Sequence, residues 1–294
     1  MKIAIYGSRR QHSSLPQVRA FFEEARRRGA ELILHRKLYE HLREEMPDFM
    51  AEVECETVEE LGPEAAADYA VSLGGDGTFL RTAAWIGSRC IPIIGVNTGH
   101  LGYLAALDIA DLPHLPEALA KASVLFRVEK RSLIEVDCEA VRRKRLWPYA
   151  LNEVALMKEE SASMIVAETW LGDEPLAEYR ADGLLVSTPT GSTAYNLSVG
   201  GPLVEPELDV HIISPVAAHS LAMRPLVVGG GDPLRIVPGG RAPYVRLALD
   251  GRSVSVAKGE EIVLRRGPFH TLVMQLRTRS FTDTLRTKLH WGDE

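Results

Sequence analysis

The run Val71-Ser72-Leu73-Gly74-Gly75-Asp76-Gly77-Thr78-Phe79-Leu80 sets a short apolar segment directly against three glycines, one carboxylate and a helix-compatible stretch. Ala70, Val71 and Leu73 read as a buried strand, and the chain becomes helix-compatible from Thr78. A strand-to-helix turn of this kind aims several free backbone N–H groups at one place, with the positive end of the helix behind them. Such a place binds anions, phosphate above all. Glycine allows positive φ and lets a ligand approach the backbone with no Cβ in the way. Asp76 is the unexpected member, because a carboxylate repels phosphate. It makes sense beside phosphates if it accepts the proton of a hydroxyl that attacks phosphorus. A helix-capping role would account for Asp76 alone, but not for the three glycines around it, so phosphoryl chemistry is the stronger reading.

The surrounding sequence places this turn in a parallel α/β domain. Ile3 to Tyr6 is a short apolar run ended by Gly7; Val18, Phe21, Phe22 and Ala25 follow at helical spacing, with Pro16 ahead and Gly29 behind. Leu32–Leu34, Ala70–Leu73 and Ile93–Val96 read as further strands. Strands alternating with helices predict a parallel sheet whose ligands bind beyond the carboxyl ends of the strands. The second glycine-spaced turn, Gly95 to Gly102, is expected beside the first. From about Val124 the texture changes to short β-rich runs at close spacing: Leu133–Val136, Met164–Leu171, Leu184–Ser187, Val210–Ile213, Tyr244–Leu249 and Thr271–Leu276. Asp250-Gly251 is a hairpin signal. The expected fold is therefore α/β plus all-β. Residues 1–123 form an N-terminal parallel-sheet domain to which 280–294 returns, and 124–279 form a C-terminal, sandwich-like β domain, with the active site between them. The basic run Val141-Arg142-Arg143-Lys144-Arg145 reads as the solvated tip of a hairpin.

Composition narrows the class of function. A net charge of −6 gives nucleic-acid binding no support. No apolar run is long enough to span a membrane, and the N-terminus reads directly as a strand rather than as a signal peptide. Three scattered cysteines suit a reduced state in the cytoplasm, and none of the nine histidines has metal-ligand spacing with a second histidine or a cysteine. The chain lacks G-x-x-x-x-G-K-[ST], a G-x-G-x-x-G after the first strand, and a G-x-S-x-G elbow. P-loop enzymes, hydride-transferring dehydrogenases and serine hydrolases therefore have no foothold.

Two other clusters carry polar chemistry. The second half of residues 179–198 crowds hydroxyls and small side chains into one loop, fit for phosphates, ribose hydroxyls or a base edge. The same residues also read as a Ser/Thr-rich turn capped by Ser192 or Thr193. Asn152-Glu153, ahead of the strand-like Val154–Met157, pairs an amide with a carboxylate and can grip a diol. Two polar residues at a strand entrance also serve purely structural ends.

Taken together, GGDGTFL, Asn152-Glu153, RADGLLVSTPTGSTAYNLSVGGPLV and the closing TLRTKLHW resemble the NAD kinase family, in the same order and across nearly the whole chain. The GGDG element is shared more widely, with diacylglycerol and sphingosine kinases and phosphofructokinases; the Ser/Thr-rich block is the specific part. The resemblance implies transfer of the γ-phosphate of ATP to the 2′-hydroxyl of the adenosine ribose of NAD, with a magnesium-type divalent metal carried on ATP and no metal ligands from the chain. On this sequence Asp76 would be the base, Gly74 and Gly75 would cradle phosphates, and Gly77 would contact the dinucleotide. Arg81 would meet a phosphate. Asn152 and Glu153 would hold ribose hydroxyls, while Arg180 and Asp182, with Thr190, Thr193, Ala194, Tyr195, Asn196 and Ser198, would line the NAD pocket. The resemblance also implies a homodimer or homotetramer. Two departures stand out: Arg252 occupies a cofactor-binding position where many bacterial members carry Gln, which would make that contact charged, and His219 lacks the proline often found just ahead of it. Competing readings are a soluble lipid kinase, which needs an acyl channel, and a non-catalytic dinucleotide sensor, which needs no carboxylate in the phosphate loop.

Overall fold

The computed structural model describes residues 1–7, 14–62, 66–99, 102–159 and 163–292. The chain divides into two units, Met1–Lys130 with Thr271–Glu294 and Arg131–His270.

The first unit is built on a sheet whose leading strands are β1 (Lys2–Gly7), β2 (Glu31–His35), β3 (Glu56–Val58), β4 (Tyr69–Leu73) and β5 (Ile93–Asn97). They lie in the order β3-β2-β1-β4-β5, all parallel, with Ile5 opposite Val71 and Val71 opposite Ile94. Parallel strands covered on both faces favour unbroken apolar runs. Ile3, Ala4 and Ile5 in β1, and Ile93 and Ile94 in β5, accordingly have no exposed surface. The helix Leu15–Arg27 presses Val18, Phe21, Phe22 and Ala25 into the same apolar cluster as Ile3, Ile5 and Val71. The strand order reverses direction between β1 and β4. Open α/β sheets bind ligands at that switch point, beyond the carboxyl ends of the strands. Gly74–Gly77 leaves the carboxyl end of β4 at this place.

Thr271–Leu276 departs from the sequence reading. It does not extend the β-rich region but joins the first sheet beside β5, with Val273 opposite Ile93 in parallel, and is followed there by Phe126–Arg131. Its buried Val273 and Met274 suit either environment, so local pattern did not distinguish them. The helix Phe281–Leu289 follows in the same unit, opened by a reciprocal Ser280–Asp283 capping box.

The second unit holds two six-stranded antiparallel sheets. One runs Leu226–Gly229, Val210–Val216, Gly183–Ser187, Glu153–Lys158, Tyr244–Leu249, Arg252–Ala257; the other Glu174–Ala181, Ile165–Leu171, Leu234–Gly239, Ile262–Arg266, Ile134–Asp137, Tyr149–Ala150. A single apolar cluster draws Val154, Leu184, Leu247 and Val256 from the first and Ile134, Ala167, Ile236 and Leu264 from the second, which makes the unit a sandwich. Asp250 and Gly251 both take positive φ (46° and 82°) in the two-residue turn between Leu249 and Arg252, the hairpin expected there. The basic run lies, as expected, in the connection between two antiparallel strands, Ile134–Asp137 and Tyr149–Ala150, with Arg142–Arg145 exposed, but that connection is helical rather than a bare turn. Glu139–Arg143 is a short helix with Ala140 and Val141 buried, and Arg142 pairs with Asp137 and Glu139. Apolar Val141 inside the charge run is what draws it onto the sheet.

Candidate active site

In the first unit the helix Asp76–Ile86 starts immediately after Gly75. The amides at its head are sorted by what already holds them. Gly74 N–H donates to Val96 O (3.0 Å), and Thr78 and Phe79 N–H both donate to Gly75 O. The amides of Gly75, Asp76 and Gly77 have no intrahelical acceptor, and among the described residues no backbone carbonyl outside the helix accepts from them. Gly77 is exposed, and Gly75 and Asp76 are half-buried. Arg81 is exposed one turn further on, its guanidinium donating to Thr78 Oγ1 at 3.2 Å.

Asp76 is held from the side. Its carboxylate accepts from the backbone N–H of Tyr103 (2.7 Å) and of Leu104 (3.0 Å). The two glycine-spaced turns therefore do lie together, although His100 and Leu101 fall outside the described residues. The fit leaves no room for a side chain at Gly102, where a Cβ would stand 2.2 Å from Asp76 Oδ1. Lys288, half-buried on the C-terminal helix, donates to Gly102 O and reaches Ala105 O at 3.4 Å. Burial pushes its ammonium pKa down, and the negative charge of Asp76 pulls it back up.

In the second unit, the entrance of the strand Glu153–Lys158 is anchored by Asp250. That carboxylate, with its side chain only 5% exposed, accepts from the N–H groups of Leu151 (2.7 Å), Asn152 (2.9 Å) and Glu153 (3.1 Å). Thr188 closes the other side, donating its hydroxyl to Leu151 O (2.5 Å) and its amide to Asn152 O (2.9 Å). Asn152 is thus buried against the loop that starts at Thr188. Glu153 is largely buried. Desolvation, with Asp250 nearby, raises its pKa to about 7 against one backbone bond from Tyr195 N–H. Among the described residues, its Oε2 and the hydroxyl of its cross-strand neighbour Ser187 are both buried without a partner. Unsatisfied buried oxygens of this kind are costly in isolation and fit a ligand that brings hydroxyl groups.

The Ser/Thr-rich loop separates into two kinds of residue. Thr190 and Asn196 are buried and serve the chain itself. Thr190 Oγ1 accepts from Arg131 at 3.3 Å, and Asn196 joins Ser192 O, Pro202 O and Ser214 Oγ at 3.2, 3.1 and 2.7 Å. Thr193 and Ala194 are half-buried, and Tyr195 and Ser198 exposed. Arg180 and Asp182 are not beside Asn152 and Glu153. Glu153 pairs with Ser187 and Met157 with Gly183, so Asp182, one residue further, lies beyond the other end of that ladder, about 16–17 Å away at the usual rise per residue. There Asp182 pairs with Lys158 (2.8 Å), and exposed Arg180 with Glu178 (2.6 Å). Arg252 turns inward, donating to Leu249 O (3.0 Å) and Tyr149 O (2.7 Å).

Sequence reasoning missed the Tyr103 and Leu104 amides, the buttress role of Asp250, Lys158 and Lys288. Backbone donors carry no residue signature, and Asp250 was visible only as half of a turn. A cavity of about 610 Å3 lined by Phe22, Leu32, Phe49, Glu31 and Glu56 lies at the amino ends of β1–β3 and contains none of the expected site residues.

Comparison with known proteins agrees with the geometry. The family model for the ATP-NAD kinase N-terminal domain matches residues 3–124, and that for the ATP-NAD kinase C-terminal domain matches residues 151–276. An NAD kinase of Porphyromonas gingivalis is 41% identical over 291 residues, covering 99% of this chain and 98% of its own. The chain belongs to the NAD kinase family. An NAD kinase of Bacteroides fragilis is 36% identical over 292 residues, with 99% of this chain and 98% of its own covered. Two solved structures share the fold. Yeast NADH kinase, complexed with NADH, has a TM-score of 0.85 at 21% identity over 100% of this chain and 89% of its own. An NAD kinase from Archaeoglobus fulgidus, in complex with ATP, has a TM-score of 0.72 at 24% identity over 99% of this chain and 98% of its own.

Proposed function

We infer that this NAD kinase family member phosphorylates NAD at the expense of ATP, and we propose that Asp76 is the general base. The carrying observation is the Asp76 carboxylate, fixed by two backbone amides at a helix head whose own first amides are unsatisfied. The ribose 2′-hydroxyl gives its proton to Asp76 as its oxygen bonds the γ-phosphorus. The bond from that phosphorus to the β–γ bridging oxygen breaks, and ADP leaves with the electron pair. A positioned carboxylate contributes roughly 10²–10⁴-fold to such a step; alignment and charge stabilisation supply most of the rest.

The amides of Gly75, Asp76 and Gly77, with Gly74 shaping the turn and Arg81 nearby, cradle phosphates. Asn152 and the unpartnered oxygen of Glu153 hold ribose hydroxyls. Thr193, Ala194, Tyr195 and Ser198 face the dinucleotide on a loop shaped by Thr190 and Asn196. Arg180 and Asp182 contact NAD at a second place along the same sheet, and Arg252 acts through the turn it closes rather than by direct charge on the substrate. A divalent ion, magnesium by chemistry, supplies charge neutralisation to the triphosphate that carries it. Among the described residues no three His, Cys, Asp or Glu side chains converge. The three free thiols suit the cytoplasm. Among the described residues no helix is long and apolar enough to cross a membrane. The edge strand Leu226–Gly229, with Leu226 and Val227 exposed, supports assembly as a homodimer or homotetramer.

Asp76→Asn tests the base. It is expected to keep the fold and NAD affinity while losing nearly all turnover; more than a tenth of wild-type kcat would remove Asp76 from that role.

A further inference from the structure

The closing helix carries a motif the reaction has not used. Lys288 donates to the carbonyl oxygen of Gly102, and the peptide unit that ends in that oxygen also contains the N–H of Tyr103. That N–H donates to Asp76 at 2.7 Å. A peptide unit is planar and rotates as one body, so a cation on its oxygen fixes the direction of its amide. The charge also polarises the unit and strengthens the N–H as a donor. Lys288 reaches Ala105 O as well (3.4 Å), bracketing the two residues whose amides hold the carboxylate, and its ammonium stands 5.7 Å from the Tyr103 ring. Half-burial of a lysine is unfavourable without partners; the carbonyls that Lys288 bonds flank the residues supporting Asp76, and Asp76 and Asp108 supply the opposing charge.

We propose that Lys288 is a positioning residue for Asp76, holding the Gly102–Tyr103 peptide so that the base stays aimed at its substrate. The inference rests on Asp76 being the base. Arg279 provides the internal control: it ties the same C-terminal segment to Ala106 O at 3.4 Å and places a like charge near Lys288, but among the described residues no hydrogen bond joins it to the Gly102–Tyr103 peptide.

The experiment compares Lys288→Met, Lys288→Arg, Arg279→Met and Asp76→Asn in full-length protein by steady-state NADP formation, NAD binding and thermal unfolding. Lys288→Met is expected to lower kcat about 10- to 100-fold, the scale of a misplaced catalytic group, with NAD affinity within about twofold. Lys288→Arg is expected to restore at least a third of the wild-type kcat, and Arg279→Met to stay within about threefold of it. Wild-type kcat in Lys288→Met, an equal loss in Arg279→Met, or a loss confined to NAD affinity would each overturn the proposal. Substantial turnover in Asp76→Asn would instead refute the base assignment, whatever the lysine variants did. Should Lys288→Met fail to fold, Lys288→Arg alone decides: less than a tenth of wild-type kcat in a folded protein overturns the proposal, and a third or more sustains it.

Discussion

Alanine at position 102 adds one methyl group where the structure has no space for it. Its Cβ would lie 2.2 Å from Asp76 Oδ1 and 2.8 Å from Asp76 Cγ, whereas carbon and oxygen in contact sit about 3.3 Å apart or more. The carboxylate must therefore retreat by about 1 Å, away from the Tyr103 and Leu104 amides that hold it at 2.7 and 3.0 Å. A displacement of that size at a reacting group costs on the order of 10²-fold in rate, which corresponds to about 2.7 kcal/mol of barrier. The two stranded amides cost about 1–3 kcal/mol of stability each at most, less where water reaches them. Gly102→Ala is accordingly expected to bind NAD within about twofold of wild type while kcat falls roughly a hundredfold. Calorimetric titration with NAD and a coupled assay for NADP separate the two quantities. A kcat within threefold of wild type would show that Asp76 does not need the position seen here.

Two further predictions concern the second unit. Because burial and Asp250 raise the Glu153 pKa from 4.5 to about 7, the folded protein holds a proton that the unfolded chain releases between those values. The folded state is thus favoured below the lower value, and that advantage is lost as pH rises through the upper one. Glu153→Gln, neutral at every pH, is expected to melt above wild type at pH 8 by the equivalent of about 1–3 kcal/mol, with the gap closing by pH 5; a pH-independent gap contradicts the raised pKa. Asp250→Asn turns one acceptor into a donor facing the Leu151 or Asn152 amide. It is expected to lower stability by about 1–3 kcal/mol in urea titration, and unchanged unfolding would dismiss Asp250 as the buttress.

What could be read from the sequence follows a physical division. The Gly74–Gly77 turn was legible because a strand, three glycines and a helix start are all local signals, and the structure puts it at the switch point between β1 and β4. The hairpin at Asp250-Gly251 was legible for the same reason. What holds Asp76 was not, since the Tyr103 and Leu104 amides come from 27 and 28 residues away and any residue supplies an N–H. Asp250 reaches the Asn152 amide across 98 residues. The assignment of Thr271–Leu276 to the first sheet was hidden because an apolar strand looks alike in either sheet. Asn196, which the resemblance implies for the NAD pocket, is buried and hydrogen-bonded to Ser192 O, Pro202 O and Ser214 Oγ, partners that its local sequence does not announce.

The most direct measurement is the product itself: purified protein, NAD, ATP and magnesium, followed with an NADP-specific dehydrogenase. The account predicts one NADP for each ATP converted to ADP, and none from Asp76→Asn. A folded protein that binds NAD yet makes no NADP would contradict it and leave the chain a dinucleotide sensor.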